Sequence, residues 1–349
     1  VTQGNIKKSS ETAQQLVMQA KKRIEEISNK EGLSGIPSGF NDLDKLTSGW
    51  QPSDLIIVAA RPGMGKTALT LSMARNIAVG QGVPVAFFSL EMSSVQLITR
   101  LISSETSLSS EKLRTGQLEQ HEWELLNVKV KSLEKAPLFI DDTPSLSIFD
   151  LRAKARRLSS QHGIKLIVID YLQLMTGGSS NKNGNREQEI STISRNLKAL
   201  AKELDVPVIA LSQLSRAVET RGGSKRPLLS DLRESGAIEQ DADIVSFIFR
   251  PEYYGIEEWD DDDATPTEGQ AEFIVAKHRN GGLDNIRLKF VGHLGKFENL
   301  NTFDAPLEEI SSSMNTDDQI STAHLPNSND VFGDDSPNLN ADDDNEVPF

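Results

Sequence analysis

Short apolar runs alternate with longer amphipathic segments through most of the chain. Uninterrupted apolar runs bounded by turn residues are typical of strands buried on both faces, whereas apolar residues that recur every three or four positions predict helices. The predicted strands are 55–60, 85–89, 137–141, 165–170, 206–212, 243–249, 271–276 and 286–290. The predicted helices are 67–79, 93–105, 119–134, 147–162 and 187–204. This alternation predicts an α/β fold, with a mostly parallel, twisted sheet and helices on both of its faces.

The two ends of the chain follow other patterns. Residues 9–28 predict an amphipathic helix, which fits docking on a neighbouring molecule and packing on its own domain equally well. Its apolar stripe consists of Leu16, Ala20, Ile24 and Ile27. After residue 300 the chain is rich in Ser, Asn, Asp and Pro, which predicts disorder. We therefore expect an N-terminal segment with a helix (1–33), a globular domain (34–300) and a disordered acidic tail (301–349).

The charge of the chain is concentrated in that tail. Of the 51 acidic residues, 12 follow residue 300, where there is no Lys or Arg, so the net charge of −14 describes the tail and not the body. A nearly neutral body excludes a uniform coat of nucleic acid but permits a locally basic channel. There is no cysteine and no apolar stretch long enough for a membrane span. We expect a cytoplasmic protein with no membrane contact.

A phosphate-binding loop is predicted directly after the first strand. The run Arg61-Pro62-Gly63-Met64-Gly65-Lys66-Thr67-Ala68 reads as a glycine-containing turn that opens a helix. In this pattern backbone N–H groups face the phosphates of a nucleotide, the lysine reaches the β and γ oxygens, and the threonine hydroxyl binds Mg²⁺. Ala60 stands where the strict pattern has its first glycine, and it is small enough to allow the same close approach. The alternative is a loop that merely turns the chain.

Three further strands end in polar residues that suit this chemistry. Asp170 closes an apolar run, where a carboxylate is costly unless it has a partner; that partner is Mg²⁺, or Asp170 caps a helix. If the strand before Glu91 neighbours the strand of the phosphate loop, Glu91 faces the γ-phosphate and can accept a proton from water, although it also suits the first turn of a helix. Arg100 follows on the next helix. Gln213 ends a third strand, where its amide can bond the γ-phosphate.

Two basic segments follow. The loop after Gln213 interleaves cations with acids, which fits contact with a phosphate backbone or a solvated charged loop. Its cations are Arg216, Arg221, Lys225, Arg226 and Arg233. Farther on, Lys277 and Arg279 follow a strand and precede Asn280-Gly281, a pattern that fits a hairpin turn or an arginine finger inserted into a neighbouring subunit's site.

Taken in order, these motifs resemble the C-terminal motor domain of bacterial replicative DNA helicases of the DnaB family. The resemblance runs from about residue 9 to 300. The motifs that carry it are Ser38-Gly39-Phe40 with Asp42-Leu43-Asp44, Ala60 to Thr67, Phe88 to Met92, Val168 to Leu174, Ala210 to Arg216, Asp231 to Gly236, Asp241 to Asp243, and Lys277 to Gly281. The resemblance implies a RecA-like P-loop NTPase fold, a homohexameric ring closed around single-stranded DNA, ATP sites between subunits, and 5′-to-3′ movement.

The same resemblance implies individual roles. Lys66 and Thr67 bind phosphate and Mg²⁺, Asp170 orders Mg²⁺, and Glu91 is the general base. Gln213 senses the γ-phosphate with Arg100 nearby, and Lys277 and Arg279 act in trans on the adjacent subunit's ATP. The residues implied to contact DNA are Arg233, Glu234 and Gly236. The helix at 9–28 matches the family's linker helix, and primase and a helicase loader are the implied partners.

The end of the tail carries a separate hypothesis. The acidic run from Asp342 to Glu346 closes on Pro348-Phe349, which resembles the tip of bacterial single-stranded-DNA-binding proteins. A disordered tether with one aromatic anchor can recruit a replication partner weakly, although a tail that only aids solubility fits as well. For the whole chain, the alternative functions are a RecA- or RadA-like recombination or repair ATPase that forms filaments on DNA, and a ring-forming ATPase that binds no DNA.

Overall fold

A nine-stranded sheet organises the part of the chain that a computed structural model describes, which comprises residues 12–28, 32–177, 186–262 and 264–300. The strands are β1 Leu55–Ala60, β2 Val85–Ser89, β3 Leu138–Asp141, β4 Leu166–Asp170, β5 Val208–Gln213, β6 Ile244–Phe249, β7 Gln270–His278, β8 Asp284–Val291 and β9 Lys296–Asn299. They lie in the order β3-β2-β4-β5-β1-β6-β7-β8-β9. The first six in this order run parallel, and β7, β8 and β9 extend the sheet antiparallel. The predicted mostly parallel α/β sheet is confirmed.

Two helices precede β1, and the others lie in the connections between the parallel strands. They are α1 Ala13–Ser28, α2 Asn41–Thr47, α3 Lys66–Arg75, α4 Ser94–Thr106, α5 Ser110–Thr115, α6 Gln120–Lys135, α7 Ile148–His162, α8 Arg186–Leu204, α9 Ala217–Thr220 and α10 Gly236–Asp241. A π-helical turn, Asn76–Gly80, continues α3, and short 3₁₀ helices occupy Leu172–Leu174, Leu229–Ser235 and Pro251–Tyr254. The described part of the chain holds no helix that is both long and apolar enough to cross a membrane.

The apolar core lies on both faces of the sheet, as the uninterrupted apolar strands require. Side chains alternate between faces along a strand, so Leu55, Ile57 and Ala59 of β1 join one cluster with α7 and α8. Ile56 and Val58 join the other cluster, with α3 and α4. All six residues of β1 are buried. A strand fixed from both sides gives a rigid support for the loop that follows it.

Parallel strands end at the same edge of the sheet, and this places the candidate residues. The carboxyl ends of β1, β2, β4 and β5 lead into the segments that begin at Arg61, Leu90, Tyr171 and Leu214. Ala60 pairs with Gln213, and Ser89 pairs with Asp170. In open α/β sheets, ligands bind beyond this edge. The opposite edge, where β1 and β6 begin and β7 ends, is a separate surface.

Candidate nucleotide site

The phosphate loop wraps the start of α3. Gly65 is the N-cap of α3, and its φ of 94° lies in the region that favours glycine. A Cβ there would lie 3.0 Å from the Phe297 ring, so the position excludes side chains for a second reason. Lys66 donates hydrogen bonds to the carbonyls of Ala60 (3.2 Å) and Arg61 (3.4 Å), which holds its ammonium over the loop. Burial lowers the pKa of Lys66, and the nearby charges of Asp170 and Glu91 oppose that shift.

Thr67 and Asp170 form the centre of the site. The Thr67 hydroxyl donates to Asp170 Oδ2 at 2.7 Å, although the two residues are 103 positions apart. Asp170 is 1% exposed, and its Oδ1 is buried with no hydrogen-bond partner. Burial raises the pKa of Asp170, the Thr67 hydrogen bond lowers it, and the charge of Glu91 raises it further. A hydroxyl beside an unsatisfied carboxylate oxygen fits Mg²⁺, which prefers oxygen ligands and is held by few protein groups together with substrate phosphates.

A cavity of about 550 Å³ lies over this centre, a size that accommodates a nucleotide. It brings together predicted residues from several segments. They are Pro62, Gly63, Gly65, Lys66, Thr67, Ala68, Glu91, Arg100 and Gln213. Arg61 and Met64 do not line it: Met64 is buried in the core, and the Arg61 side chain contacts the segment after β5. The cavity therefore joins the phosphate loop to the ends of β2 and β5.

The premise behind the predicted position of Glu91 is wrong. β2 does not neighbour β1, because β4 and β5 lie between them. Glu91 nevertheless lines the cavity, because it lies two residues beyond the end of β2 and next to the end of β4, where Leu90 N–H donates to the Asp170 carbonyl at 2.7 Å. Its side chain is exposed. The adjacency that matters is the pairing of β2 with β4, and the strand order could not be read from the apolar runs.

One wall of the cavity was not predicted. It is the turn between β8 and β9, Gly292 to Gly295, together with Phe290. Arg250 links this wall to the phosphate loop: its guanidinium lies 4.0 Å from the centre of the Phe290 ring and donates to the Gly63 carbonyl at 3.3 Å. Sequence offers little signal here, since a glycine-rich turn is typical of any hairpin.

Gln173 is a second polar residue that the sequence did not single out. Its amide nitrogen donates to the Ser212 hydroxyl at 2.9 Å, and its amide oxygen accepts from the Gln213 N–H at 3.2 Å. It thereby fixes the end of β5, where the predicted γ-phosphate sensor lies. The residue belongs to the Val168 to Leu174 motif, and this membership is the signal that could have found it.

Lys277 and Arg279 lie at the opposite edge of the sheet. The Arg279 N–H donates to the Asp243 carbonyl, and Asp243 accepts from the Leu55 N–H at the start of β1. β1 therefore separates them from the phosphate loop, and six strand residues span roughly 17 Å. Lys277 donates to the carbonyls of Glu239 and Ala242 at the end of α10, and Arg279 lies 3.4 Å from Asp243 Oδ1. Asn280-Gly281 does form the predicted turn between β7 and β8. This chain's own nucleotide site does not include them.

Most cations of the loop after β5 are paired within the chain. Arg221 binds Asp231, and Arg226 binds the buried Glu272 and lies near the rings of Phe249 and Trp259. Lys225 donates to backbone carbonyls of Glu219 and Arg221. The bulk of this loop is thus a folded, internally neutralised segment and not a free basic hairpin.

The predicted DNA contacts fall beside that segment. Arg233 and Glu234 belong to the 3₁₀ helix Leu229–Ser235, and their side chains lie outside the described residues. Gly236 begins α10, with open space where a Cβ would lie. Arg216, in the same loop, is exposed.

The predicted N-terminal helix forms over Ala13–Ser28. Leu16, Ala20 and Ile24 of its stripe are exposed, so they do not pack on the described part of their own domain. The side chain of Ile27 and the tail from 301, with its Pro348-Phe349 tip, lie outside the described residues.

A parallel sheet with a phosphate loop after a central strand, and an acid closing a strand two places away, defines a RecA-like P-loop NTPase domain. A family model described as the DnaB-like helicase C terminal domain matches residues 35–299. The chain belongs to this family, which confirms the resemblance read from its motifs.

Individual relatives support the same family assignment. The replicative DNA helicase DnaB of Geobacillus stearothermophilus is 50% identical over 286 residues, which are 82% of this chain and 61% of that protein. The replicative DNA helicase DnaC of Bacillus subtilis (strain 168) is 48% identical over the same shares. The chain thus spans about three fifths of these relatives.

Solved structures match the fold closely. One, described as an ATPase domain, has a TM-score of 0.76 and 37% identity, covering 84% of this chain and 100% of that one. A DnaB-like replicative helicase, described with its interactions with primase, has a TM-score of 0.75 and 38% identity, covering 83% of this chain and 69% of that one. The recombinase alternative is not favoured.

Proposed function

We propose that this chain is the ATP-hydrolysing motor of a replicative DNA helicase, which moves 5′ to 3′ on single-stranded DNA and unwinds duplex at the replication fork. The observation that carries the proposal is the buried Thr67–Asp170 pair beside Lys66, in a chain that belongs to the DnaB-like helicase C-terminal family. Hydrolysis of ATP at the phosphate loop supplies the energy, and membership of the helicase family indicates that this energy drives movement on DNA.

The phosphate loop binds ATP. Its backbone N–H groups and the amino end of α3 face the phosphates, and the Lys66 ammonium neutralises β and γ oxygens. Thr67 and Asp170 would hold Mg²⁺, which would supply positive charge that neutralises the phosphates. The unpartnered Oδ1 of Asp170 supports this assignment, since an ion ligand would satisfy it.

Glu91 accepts the proton of the attacking water. It lines the cavity with Lys66 and Thr67, and its exposure leaves room for a water between it and a γ-phosphate. Gln213 also lines the cavity, where its amide bonds the γ-phosphate and loses that partner after hydrolysis. Arg100, on α4, adds positive charge to the lining of the cavity.

A second copy completes the site. Lys277 and Arg279 lie about one strand length from their own phosphate loop, which supports action on a neighbour's ATP, where a cation stabilises charge in the transition state. Such head-to-tail contacts close into a ring, and we infer a homohexamer. The exposed stripe of α1 supports the docking of that helix on an adjacent motor domain.

Single-stranded DNA passes through the ring and contacts Arg233, Glu234 and Gly236. Contacts to phosphates alone make binding independent of sequence and sensitive to salt. We further propose primase and a helicase loader as partners, a cytoplasmic location on replicating DNA, and weak recruitment of a replication partner through the Pro348-Phe349 tip.

Strand displacement tests the function. Forked duplexes that carry only a 5′ or only a 3′ single-stranded arm are incubated with protein, ATP and Mg²⁺. We expect displacement that requires the 5′ arm and disappears in Glu91→Gln, whose hydrolysis should fall about 100- to 10,000-fold. Displacement from the 3′ arm contradicts the polarity. DNA-stimulated hydrolysis with filaments and no displacement contradicts the helicase motor itself.

A further inference from the structure

The Arg61 side chain leaves the phosphate loop and enters the segment after β5. It is 6% exposed. One terminal nitrogen donates to the Leu214 carbonyl at 2.8 Å, and Nε donates to Glu219 Oε1 at 2.9 Å. The planar guanidinium thus spans two points of one segment, a geometry that a lysine cannot reproduce.

Phosphate binding does not explain this arrangement. Lys66 and the loop amides supply the cationic and N–H groups that phosphates need, and the Arg61 side chain does not line the cavity. A buried guanidinium is retained only with partners that compensate its lost hydration. Arg61 in turn lowers the pKa of Glu219 through their hydrogen bond, which keeps that carboxylate charged. The pair therefore links the phosphate loop to α9.

The segment that Arg61 holds is internally closed. The Glu219 carbonyl accepts from Lys225 at 2.9 Å, and Arg221 binds Asp231 at 3.1 Å. Asp231 also accepts from the Leu228 N–H at 2.7 Å, at the start of the 3₁₀ helix Leu229–Ser235. The Ser215 N–H donates to the Asp231 carbonyl, which ties the two ends of the segment together.

This closed segment connects the two ends of the proposed motor. It begins next to Gln213 at the nucleotide and ends in the 3₁₀ helix that precedes Gly236, where DNA is proposed to bind. The contacts form a continuous chain from the 3₁₀ helix through Asp231 and Arg221 to α9, and from Glu219 of α9 to the phosphate loop. The Arg61–Glu219 pair is the side-chain contact by which this path enters the loop.

We propose that Arg61 and Glu219 are a positioning pair that couples occupancy of the DNA-binding segment to the geometry of the phosphate loop in the same subunit. The inference rests on the proposed function, because it needs DNA to bind this segment. Coupling between two sites is reciprocal in binding free energy. Bound DNA should therefore raise the affinity for an ATP analogue, and a bound ATP analogue should raise DNA affinity by the same factor, through the same pair. Because the pair positions the phosphate loop, we also expect it to carry the stimulation of hydrolysis by DNA.

The test compares Glu219→Gln with the wild-type chain in hydrolysis assays with and without oligo(dT). Glu219 is partly exposed and lies outside the cavity, so the rate without DNA should stay within about twofold. We expect the stimulation by DNA to fall about fivefold, the lower end of typical site-to-site coupling. Glu203→Gln is the matched control, because Glu203 also pairs with arginines, Arg152 and Arg156, but on the remote helices α7 and α8.

Two further measurements distinguish coupling from damage. Oligo(dT) affinity, measured by fluorescence anisotropy with and without a non-hydrolysable ATP analogue, should lose its nucleotide dependence in Glu219→Gln at an unchanged melting temperature. Arg61→Lys should lower the stimulation similarly, and the double variant should be no worse than either single one. Glu219→Asp, which keeps the charge one methylene shorter, should recover part of the effect.

The possible results separate the two proposals. A wild-type chain that DNA does not stimulate overturns the proposed function, and the inference with it. A stimulated wild type with an equally stimulated Glu219→Gln overturns the inference alone, as do additive losses in the double variant.

Discussion

The Thr67 hydroxyl donates a 2.7 Å hydrogen bond to Asp170, and this contact joins the first turn of α3 to the end of β4. The remaining carboxylate oxygen of Asp170 is buried without a partner. A charged group left half-satisfied in the core is costly, and such groups persist where they have a function. Substitution of Asp170 should therefore have two measurable effects, one on activity and one on stability.

For activity, Asp170→Asn should abolish the dependence of hydrolysis on Mg²⁺. The amide keeps the shape and can still accept from Thr67, but it lacks the charge that holds the cation. We expect kcat to fall at least about 100-fold, the scale typical of losing one electrostatic contact in a transition state. Nucleotide affinity measured in EDTA should change little. Asp141→Asn, at the end of β3, is the matched control, and an equal loss there contradicts the metal role.

For stability, the same variant should make the nucleotide-free protein more stable at neutral pH. Burial raises the pKa of Asp170 in the folded state above its unfolded value of 3.8. The folded state therefore loses stability relative to the unfolded state as the pH rises from 3.8 to the folded pKa. An amide does not titrate, so the variant avoids this loss, and we expect a higher Tm than that of the wild type at pH 7. The difference should vanish well below pH 3.8, where the carboxyl is protonated in both the folded and the unfolded wild-type protein. A gain that persists in more acidic buffer would show a cause other than titration.

The position of Lys277 and Arg279 predicts complementation between defective subunits. Arg279→Ala removes the cation that is proposed to act on a neighbour's ATP, and Lys66→Ala disables the nucleotide site on which such a cation would act. Each variant alone should be nearly inactive, whereas a mixed assembly contains intact interfaces and should recover hydrolysis. ATPase rates across mixing ratios measure this. Arg157→Ala, at an exposed position of α7, should be fully active by itself. No recovery at any ratio contradicts action in trans.

The backbone of Gly65 predicts that alanine there removes nucleotide binding. The φ of 94° is strained for any L side chain, and the new methyl would lie 3.0 Å from the Phe297 ring. The amino end of α3 must shift, and its N–H groups lose their aim at the phosphates. We expect ATP affinity to fall at least about tenfold by calorimetry, since each lost charge-assisted hydrogen bond is worth more than 1 kcal/mol. Gly80→Ala, with open space around the new methyl, is the control and should bind normally.

The six parallel strands of the fold were predicted well because each consists mainly of apolar residues. Lys296–Asn299 was missed, since it is short and contributes a single apolar side chain, Phe297, to the core. The helix Ser110–Thr115 was missed because none of its residues is buried, which leaves no apolar period to detect. Periodicity reports burial, and elements that bury little do not show it.

The phosphate-binding residues and Asp170 were predicted because their signal is local in the sequence. Lys66 and Thr67 follow an apolar strand and Asp170 closes one, and the ends of these strands share an edge of the sheet, so their residue types indicate their chemistry. The pairing of Arg226 with Glu272 could not be predicted, because it joins positions 46 apart and charge alone does not choose a partner. Neither could the order of β2, β4 and β5, on which the position of Glu91 depends.

The length of β1 has a kinetic consequence. One end carries the phosphate loop, and the other lies beside Lys277 and Arg279, so the proposed action in trans would leave a single copy with halves of two different active sites and no complete one. Free chains would then be close to inert as ATPases, and their specific activity would rise with concentration until assembly saturates. Newly made subunits in a cell would consume no ATP before they meet their neighbours.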